Sequence, residues 1–486
     1  MLDVLVIGAG FGGLATALTL ADGGARVALC ETLKYPGGCA STFTRDGYQF
    51  ESGATLFSGF DRGQLFGEWI ERYALPVETS AIDPVVELRA PGFRLDVPPR
   101  REQLIERLCA FPGAPVRELR AFFARQEKVA DALWALFDDP RLLPPFGPRA
   151  LLSHLASAPR FLPLLGLIGK PLGKVLGALY GFAPLRAYLD AVCQITVQTS
   201  AARAEAPFAM AAMDYYFRGT RHVRGGIGQL AWALARAIEA RGGEVRLAER
   251  VSRIERLPEG FRVHSRRGPI EARQVVCNLL PQTVSELYGP SRTLDGLSRK
   301  VEQGWGAAML YLAVEGAGLR PEAHHLELID DPAAPFTEGN HLFCSLSAED
   351  EEERAPLGQR TVTVSTHLPL AELRALPEAA RVARIAAAQA RMVATIERLA
   401  PELRVRFRLT ASPRTFERFT GRFGGYVGGI PRNASLSHYG QLLPVQAAKG
   451  LWLVGDSLFP GQSTLAAALG GLKLAERLLR GGVQSA

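Results

Sequence analysis

The stretch that most constrains this chain is its first 31 residues, "MLDVLVIGAGFGGLATALTLADGGARVALCE". A short apolar run, Val4 to Ile7, suits a parallel strand buried on both faces. Gly8-x-Gly10-x-x-Gly13 follows at once, then a helix-forming segment from Leu14 to Ala21 and a second apolar run, Arg26 to Cys30, that ends in Glu31. The glycines have separate duties: a tight turn, close approach of main chain to a pyrophosphate, and close packing of helix on strand. The helix N-terminus turns free N–H groups and positive potential toward phosphate. Glu31, 18 residues after Gly13, is placed to accept the ribose hydroxyls. A plain βαβ unit requires only part of this series. Strand, glycines, helix, strand and acid in order predict a dinucleotide cradle at Gly8, Gly10, Phe11, Gly12, Gly13 and Glu31. By itself the cradle leaves FAD and NAD both open.

Three later segments narrow the choice. Gly37-Gly38 marks a loop where main chain approaches something closely, and "STFTRDGYQFESG" alternates about Asp46-Gly47, the signal of a type I′ hairpin. "HVRGGIGQLAWALARAIEARGGEVRLAERVSRIE" predicts an amphipathic helix near Ile227 to Arg241, a Gly242-Gly243 stop and an apolar strand to Val251. Near the end, "GLWLVGDSLFPGQSTLAAALGGLKLAERLL" reads as a buried strand, Leu451 to Val454, running into Gly455-Asp456. A turn at Pro460-Gly461 and a small-residue helix from Thr464 follow.

This set, in this order, resembles the phytoene desaturase and carotenoid isomerase branch of the FAD-dependent, amine-oxidase-like oxidoreductases. The resemblance is carried by the two ends of the chain and by residues near 220–255, and is thin between about 100 and 210. "ERFTGRFGGYVGGIPRNAS" is more similar to the carotenoid isomerase and hydroxycarotenoid desaturase subgroup than to the phytoene enzymes. The resemblance implies an α/β fold: a Rossmann-like FAD-binding domain built from discontinuous segments, an antiparallel-sheet substrate domain and a helical cap. It implies FAD held also by Gly37, Gly38, the main chain of Val251, and Gly455, with Asp456 on the ribitol. The helix beginning at Ser463, Thr464 and Leu465 would face the flavin pyrimidine, where a helix N-terminus stabilises the negative charge of the reduced ring. Two positions depart from the pattern. Cys39 stands where many relatives carry Arg or another polar residue near the phosphates, and Glu51 stands for a frequent Asp. With no Cys between Gly455 and Thr464, covalent attachment there is not expected.

The segments expected to build the FAD domain are 1–75, 214–285 and 421–486. Residues 84–98 and 286–420 are assigned to the substrate domain and 100–213 to a membrane-facing helical cap. Within the substrate domain, strands are expected around 84–98, 303–315, 324–330, 340–347 and 360–366, with a long Ala/Arg helix over 377–399. A chain of 486 residues is too long for one core, in keeping with several domains.

Charge is informative through its location. The formal net charge is +7, and six of those charges lie between Arg141 and Leu189, where Arg141, Arg149, Arg160, Lys170, Lys174 and Arg186 occur with no Asp or Glu. They sit among Leu, Phe, Pro and Gly, unlike a nucleic-acid stripe, so nucleic acid is not expected as a partner. "FLPLLGLIGKPLGKVLGALYGF" at 161–182 is broken by Lys170 and Lys174 and contains Pro163 and Pro171, so it is too interrupted to span a bilayer. Its glycines at 169, 173, 177 and 181 predict a helix with a small-residue stripe, and its lysines would meet anionic head groups. A tightly packed cap helix is the alternative. The six cysteines form no C-x-x-C pair, which favours a reducing compartment; the expected location is cytoplasmic and peripheral to a membrane.

No metal-ligand spacing or Ser-His-Asp grouping occurs, and His324-His325 and "EDEEER" at 349–354 read as structural or solvated features. Chemistry would then belong to the flavin, with the protein supplying walls for an apolar polyene collected from a membrane surface. Candidate walls are Tyr215, Tyr216, Phe217, Trp305, Tyr311, Tyr426 and Phe459, with Phe459, Tyr426 and Tyr216 put forward as lining the substrate. Oxygen or a quinone would reoxidise the flavin. Two alternatives stand beside this: a soluble flavin amine oxidase, and a non-catalytic prenyl-binding escort on the same fold.

Overall fold

The computed structural model describes residues 1–138, 161–442 and 445–483. Strand β1 (Leu2–Ile7) is buried on both sides, because Val4 and Val6 pack with helix α1 (Phe11–Asp22) while Leu5 and Ile7 enter a second core on the other face. Strand β2 (Val27–Cys30) pairs with β1 in parallel, and Gly268–Cys277 pairs in parallel on its other side. Glu244–Arg246 and Leu451–Leu453 continue the parallel sheet at either end. Three distant segments therefore build one eight-stranded sheet, the remaining strands being antiparallel additions. The C-terminal helix Thr464–Leu478 lies directly on α1, and its glycines make this contact possible. A Cβ on Gly471 would run into the carbonyl of Gly12 and lie 2.9 Å from Thr16 Oγ1.

A second, seven-stranded sheet runs Val405–Ala411, Trp305–Glu315, Gln359–Pro369, His341–Leu346, His324–Ile329, Val86–Ala90, Phe93–Val97. Its neighbours are antiparallel except for one parallel pair, His324–Ile329 with Val86–Ala90, where an N-terminal hairpin joins the edge. The strand Val405–Ala411 is absent from the sequence reading because its Arg-rich outer face masks the alternation. Helix Glu378–Leu399 covers one face through Ala388, Met392 and Ile396. Over the other face lie the helices Val116–Asp138, Ala183–Thr196 and Ala206–Ala212 and the turn Met213–Phe217.

Residues 161–182 depart from the single helix that the glycine spacing predicts. They form short turns at Leu162–Leu164, Leu172–Leu176 and Gly177–Gly181, and Gly166, Gly169 and Gly177 take φ of +78°, +77° and +55°, which end a helix. The turns leave Leu162, Leu165 and Ile168 exposed at 59%, 64% and 37%, beside exposed Lys170 and Lys174. Arg141, Arg149 and Arg160 lie outside the described residues. Among the described residues no helix is long and apolar enough to cross a membrane.

"EDEEER" is not simply a solvated turn. Glu351 and Arg354 are 2% and 3% exposed. Glu351 accepts from the N–H groups of Gly225 (2.8 Å) and Ala348 (2.6 Å) and lies 3.0 Å from His222 Nε2. Arg354 stands 3.7 Å from Glu51, whose carboxylate takes the N–H of Ile227 at 3.2 Å. The acidic run fastens the second sheet to the glycine turn that starts helix Gly228–Ala240.

Candidate functional site

The C-terminal ends of β1, Gly268–Cys277 and Leu451–Leu453 open into one cleft of about 370 Å³ between the two sheets. At one end it is lined by Gly10, Gly12, Gly37, Gly455 and Asp456, at the other by Phe208, Met309, Phe343 and Val427. Asn278 is the pivot of the first end. A Cβ on Gly10 would fall 2.5 Å from Asn278 Nδ2, and one on Gly12 or Gly455 would fall 2.7 Å or 2.8 Å from Asn278 Oδ1. Side chains at these positions would fill the cradle, so glycine keeps three stretches of main chain open to a ligand. Gly13 does something else: its Cβ would collide with the Gly8 carbonyl, so its role is helix-on-strand packing. Gly8 itself turns the chain at φ +97°.

Glu31 is 7% exposed, and its oxygens accept from Ala9 N at 2.7 Å and Leu33 N at 2.9 Å. Burial pushes its carboxyl up, opposed by the N–H groups of Leu33 and Ala9. Bonded this way it braces the glycine loop, and each oxygen keeps a lone pair for a hydroxyl. The strand expected to run to Val251 is split in two. The strand after Gly243 stops at Arg246, the chain turns through Ala248 at φ +53°, and Val251 opens a new strand, with its side chain buried in the core and outside the cleft lining. The crossing segment still passes Glu31, through Glu249 N to Glu31 O at 2.7 Å. Gly38, at φ +61°, also stands behind the lining, its carbonyl accepting from Ser41 Oγ at 2.8 Å.

Asp456 accepts from Arg422 Nη2 at 2.8 Å, and Arg422 Nε is anchored on the carbonyl of Tyr426. Arg422 also lies against Cys39, whose thiol is pushed up by burial and drawn back by that guanidinium. A cation at this end of the cleft thus comes from residue 422, not from residue 39. The C-terminal helix begins beside Asp456. Ser463 caps it by accepting from Ala466 N at 3.0 Å, and the hydroxyl of Thr464 is buried with no hydrogen-bond partner. Both residues and Leu465 line the cleft. An orphan hydroxyl at a helix N-terminus, a glycine cradle and a carboxylate for a polyol are together the donor and acceptor set that FAD needs.

At the other end the structure separates the aromatic candidates. Tyr215 lines the cleft, with its hydroxyl on Leu56 O at 3.1 Å. Tyr216, one step on around a tight turn, points behind the wall and donates to Glu327 at 3.1 Å. Tyr426 is 2% exposed with its hydroxyl on Glu302 O at 3.4 Å, because the extended main chain that pairs Val427 with Trp305 turns Val427 toward the cleft and Tyr426 away. Phe459 backs Phe208 at a ring distance of 6.4 Å, and Pro460 is the lining residue there. Trp305 donates to Gln198 O at 2.8 Å, Tyr311 donates to Ser52 O at 2.7 Å, and Phe217 packs at the edge of the core. Asn278, Arg422 and Phe208 escaped the sequence reading. Only for Asn278 was there a signal, a polar residue ending the buried run "QVVC". His325 is 3% exposed, its ring tilted against Phe343 at a centroid distance of 5.3 Å.

Residues 11–392 match the flavin containing amine oxidoreductase family. The chain is 26% identical to the chloroplastic prolycopene isomerase of Arabidopsis thaliana over 504 residues, 98% of this chain and 82% of that protein. It is 30% identical to the hydroxyneurosporene desaturase of Cereibacter sphaeroides over 263 residues, 52% of this chain and 50% of that one. In fold it is similar to an oxidoreductase from Methanosarcina mazei, with a TM-score of 0.66 at 17% identity over 98% of this chain and 100% of that one.

Proposed function

This chain belongs to the flavin-containing amine oxidoreductases, and on that premise we propose that it is an FAD-dependent carotenoid or polyene oxidoreductase, catalysing desaturation or cis–trans isomerisation at a membrane surface. The observation that carries the reading is the continuity of the cleft, whose FAD-binding end runs without a barrier into a wall of Ile195, Phe208, Met309, Phe343, Val427 and Ile430. A mainly apolar substrate is recognised by such a surface through the area it removes from water. The similarity to prolycopene isomerase over nearly the whole chain supports the same class.

FAD supplies the two-electron redox chemistry. The residues of this chain position and exclude. Gly10, Gly12 and Gly455 let main chain approach the cofactor, Asp456 is held by Arg422, and the N-terminus of helix Thr464–Leu478 offers positive potential and a free hydroxyl. Phe208, Met309 and Phe343 keep water from the opposite side and hold a chain flat. Reoxidation by oxygen or a quinone belongs to the same proposal.

The exposed patch of Leu162, Leu165, Ile168 and Leu436, flanked by Lys170 and Lys174, supports peripheral docking to anionic lipid. Buried Glu205 joins this patch to the cleft wall, accepting from Gly169 N at 2.9 Å, from Phe208 N at 3.3 Å and from Tyr439. The amine-oxidase alternative is weaker here because the cleft presents Arg422 and Arg432 against the single carboxylate of Asp456. The test is purified holoprotein incubated with liposomes carrying candidate carotenoids, followed by product chromatography. An isomerised or desaturated product is expected. A colourless protein, or a yellow one that leaves every polyene unchanged, overturns the reading.

A further inference from the structure

Arg432 brings a buried guanidinium to the apolar end of the cleft. It lines that cleft and is 5% exposed. Its main chain is held on both sides, its N–H donating to Val197 O at 2.9 Å and its carbonyl accepting from Glu205 N at 2.9 Å. The guanidinium lies 5.6 Å from the centre of the Phe208 ring, and Nη1 is 3.5 Å from His438 Nδ1. Phe208 and Ile430, two residues before Arg432, both belong to the apolar wall, so the cation sits within it. The Nε and Nη2 atoms face Gly461, another lining residue. A Cβ on Gly461 would stand at ordinary contact distance, 3.6 Å from Nη2 and 4.0 Å from Nε, so an atom fits beside that glycine in contact with this edge. Two N–H groups on one edge of a guanidinium can grip a carboxylate through parallel hydrogen bonds.

Among the described residues, the charged side chains lining the cleft are Arg422, Asp456 and Arg432. Arg422 and Asp456 pair at 2.8 Å, so Arg432 leaves the lining with one positive charge in excess. The nearby imidazoles add none. Burial pushes His367 down to about 3, and burial with Arg432 pushes His438 down to about 4, so both rings are neutral. His438 donates from Nε2 to Asn433 O at 2.7 Å, which leaves its Nδ1 to accept from Arg432. Glu205 lies behind the wall and accepts from Gly169 N, Phe208 N and Tyr439. Burial draws the Arg432 guanidinium down to about 10, and Glu205 opposes only part of that. A buried cation in this setting is stabilised by an anion brought to it, whereas an ammonium group would be repelled.

We propose that the cleft takes a polyene ending in a carboxylate, held by the Nε–Nη2 edge of Arg432 with its chain along Phe208, Val427 and Ile430. This rests on the polyene reading above and specifies its substrate class. An ester of the same acid keeps the apolar chain but loses the charge, so it cannot reproduce the charge-assisted pair of bonds.

The experiment is equilibrium binding to the FAD-loaded enzyme at neutral pH, followed through flavin fluorescence, which reports on the cleft and not on the basic surface patch. A long polyene carboxylic acid, its methyl ester and the corresponding amine are compared. The acid is expected to bind about tenfold or more tightly than the ester, and the amine no better than the ester. In Arg432→Gln protein that retains FAD, the acid-to-ester ratio should fall toward one. Arg432→Lys keeps the charge but loses the planar fork, and should retain only part of the preference. Equal affinity of the wild-type enzyme for acid and ester overturns the proposal without needing any variant, as does tighter binding of the amine. An unchanged ratio in Arg432→Gln also overturns it, and with a shifted flavin reduction potential would assign the cation to the cofactor instead. If none of the three ligands binds, it is the polyene reading itself that fails, an outcome distinct from binding without preference.

Discussion

Gly12 is hemmed in by three neighbouring residues in the proposed cradle. Its Cβ would sit 2.7 Å from Asn278 Oδ1 and 3.2 Å from both Ala467 O and Gly455 N, so a side chain there would displace Asn278 and press on main chain from two sides. Gly12→Val is expected to give a folded protein whose FAD affinity falls by at least about tenfold, or ~1.4 kcal/mol, measured by fluorescence titration of apoprotein. Glu51 allows a pH prediction. Burial, only partly offset by Arg354 and the N–H of Ile227, pushes its carboxyl from an ordinary 4.5 to about 7. A raised carboxyl favours folding while protonated, so its contribution is present below 4.5 and is lost as pH rises through about 7. The melting temperature of Glu51→Gln minus that of wild type should therefore grow across this interval, and a constant difference would refute the assignment. At this scale the sequence was half legible. Glycines and Glu31 announce themselves by local spacing, whereas Asn278 and Arg422 act on partners hundreds of positions away, and no local pattern reports such a meeting.

Among the elements, βαβ units, the Asp46-Gly47 hairpin and helix Gly228–Ala240 follow from periodicity and turn chemistry, because each is stabilised mostly by neighbours in sequence. The stretch 161–182 does not. A glycine every fourth residue is compatible with a helix, yet glycine equally permits the positive φ at 166, 169 and 177 that breaks it, and a Cβ on Gly173 would fall only 2.9 Å from Ala202 main chain. The result is a surface of exposed leucines and lysines in place of an embedded helix. Lys170→Glu/Lys174→Glu should weaken flotation with anionic vesicles by tenfold or more, since each basic residue near such a surface is worth about 1 kcal/mol. Neutral vesicles should show little change, and unchanged flotation on anionic ones would remove the patch from the docking surface.

For the molecule as a whole, the acidic run 349–354 matters more than its composition suggests. Glu351 and Arg354 hold the second sheet to the start of helix Gly228–Ala240, so the two sheets share one set of buried charges. Glu351→Ala leaves buried donors at Gly225, Ala348 and His222 uncompensated and should cost about 3–5 kcal/mol, read as a lower unfolding midpoint. Because the proposed FAD site is built where segments from both ends of the chain meet, saturating FAD should raise the midpoint in proportion to RT ln(1 + [L]/Kd), about 2.7 kcal/mol at a hundredfold excess over Kd. In Glu351→Ala this ligand-dependent rise should persist while the baseline drops.

What the sequence determined alone is the cradle and its order of assembly, since strand, glycine turn, helix and acid are local features fixed by sterics and hydrogen bonding within 31 residues. It also located the apolar, acid-free segment that carries the exposed patch. Tertiary structure decided which aromatic side chains face the cleft, since a turn or an extended pair sends adjacent residues such as Tyr215 and Tyr216, or Tyr426 and Val427, to opposite sides. It decided that the cation beside Cys39 is Arg422. These are long-range packing outcomes: they depend on how whole elements dock, and docking is a property of buried surfaces that no short window of residues contains.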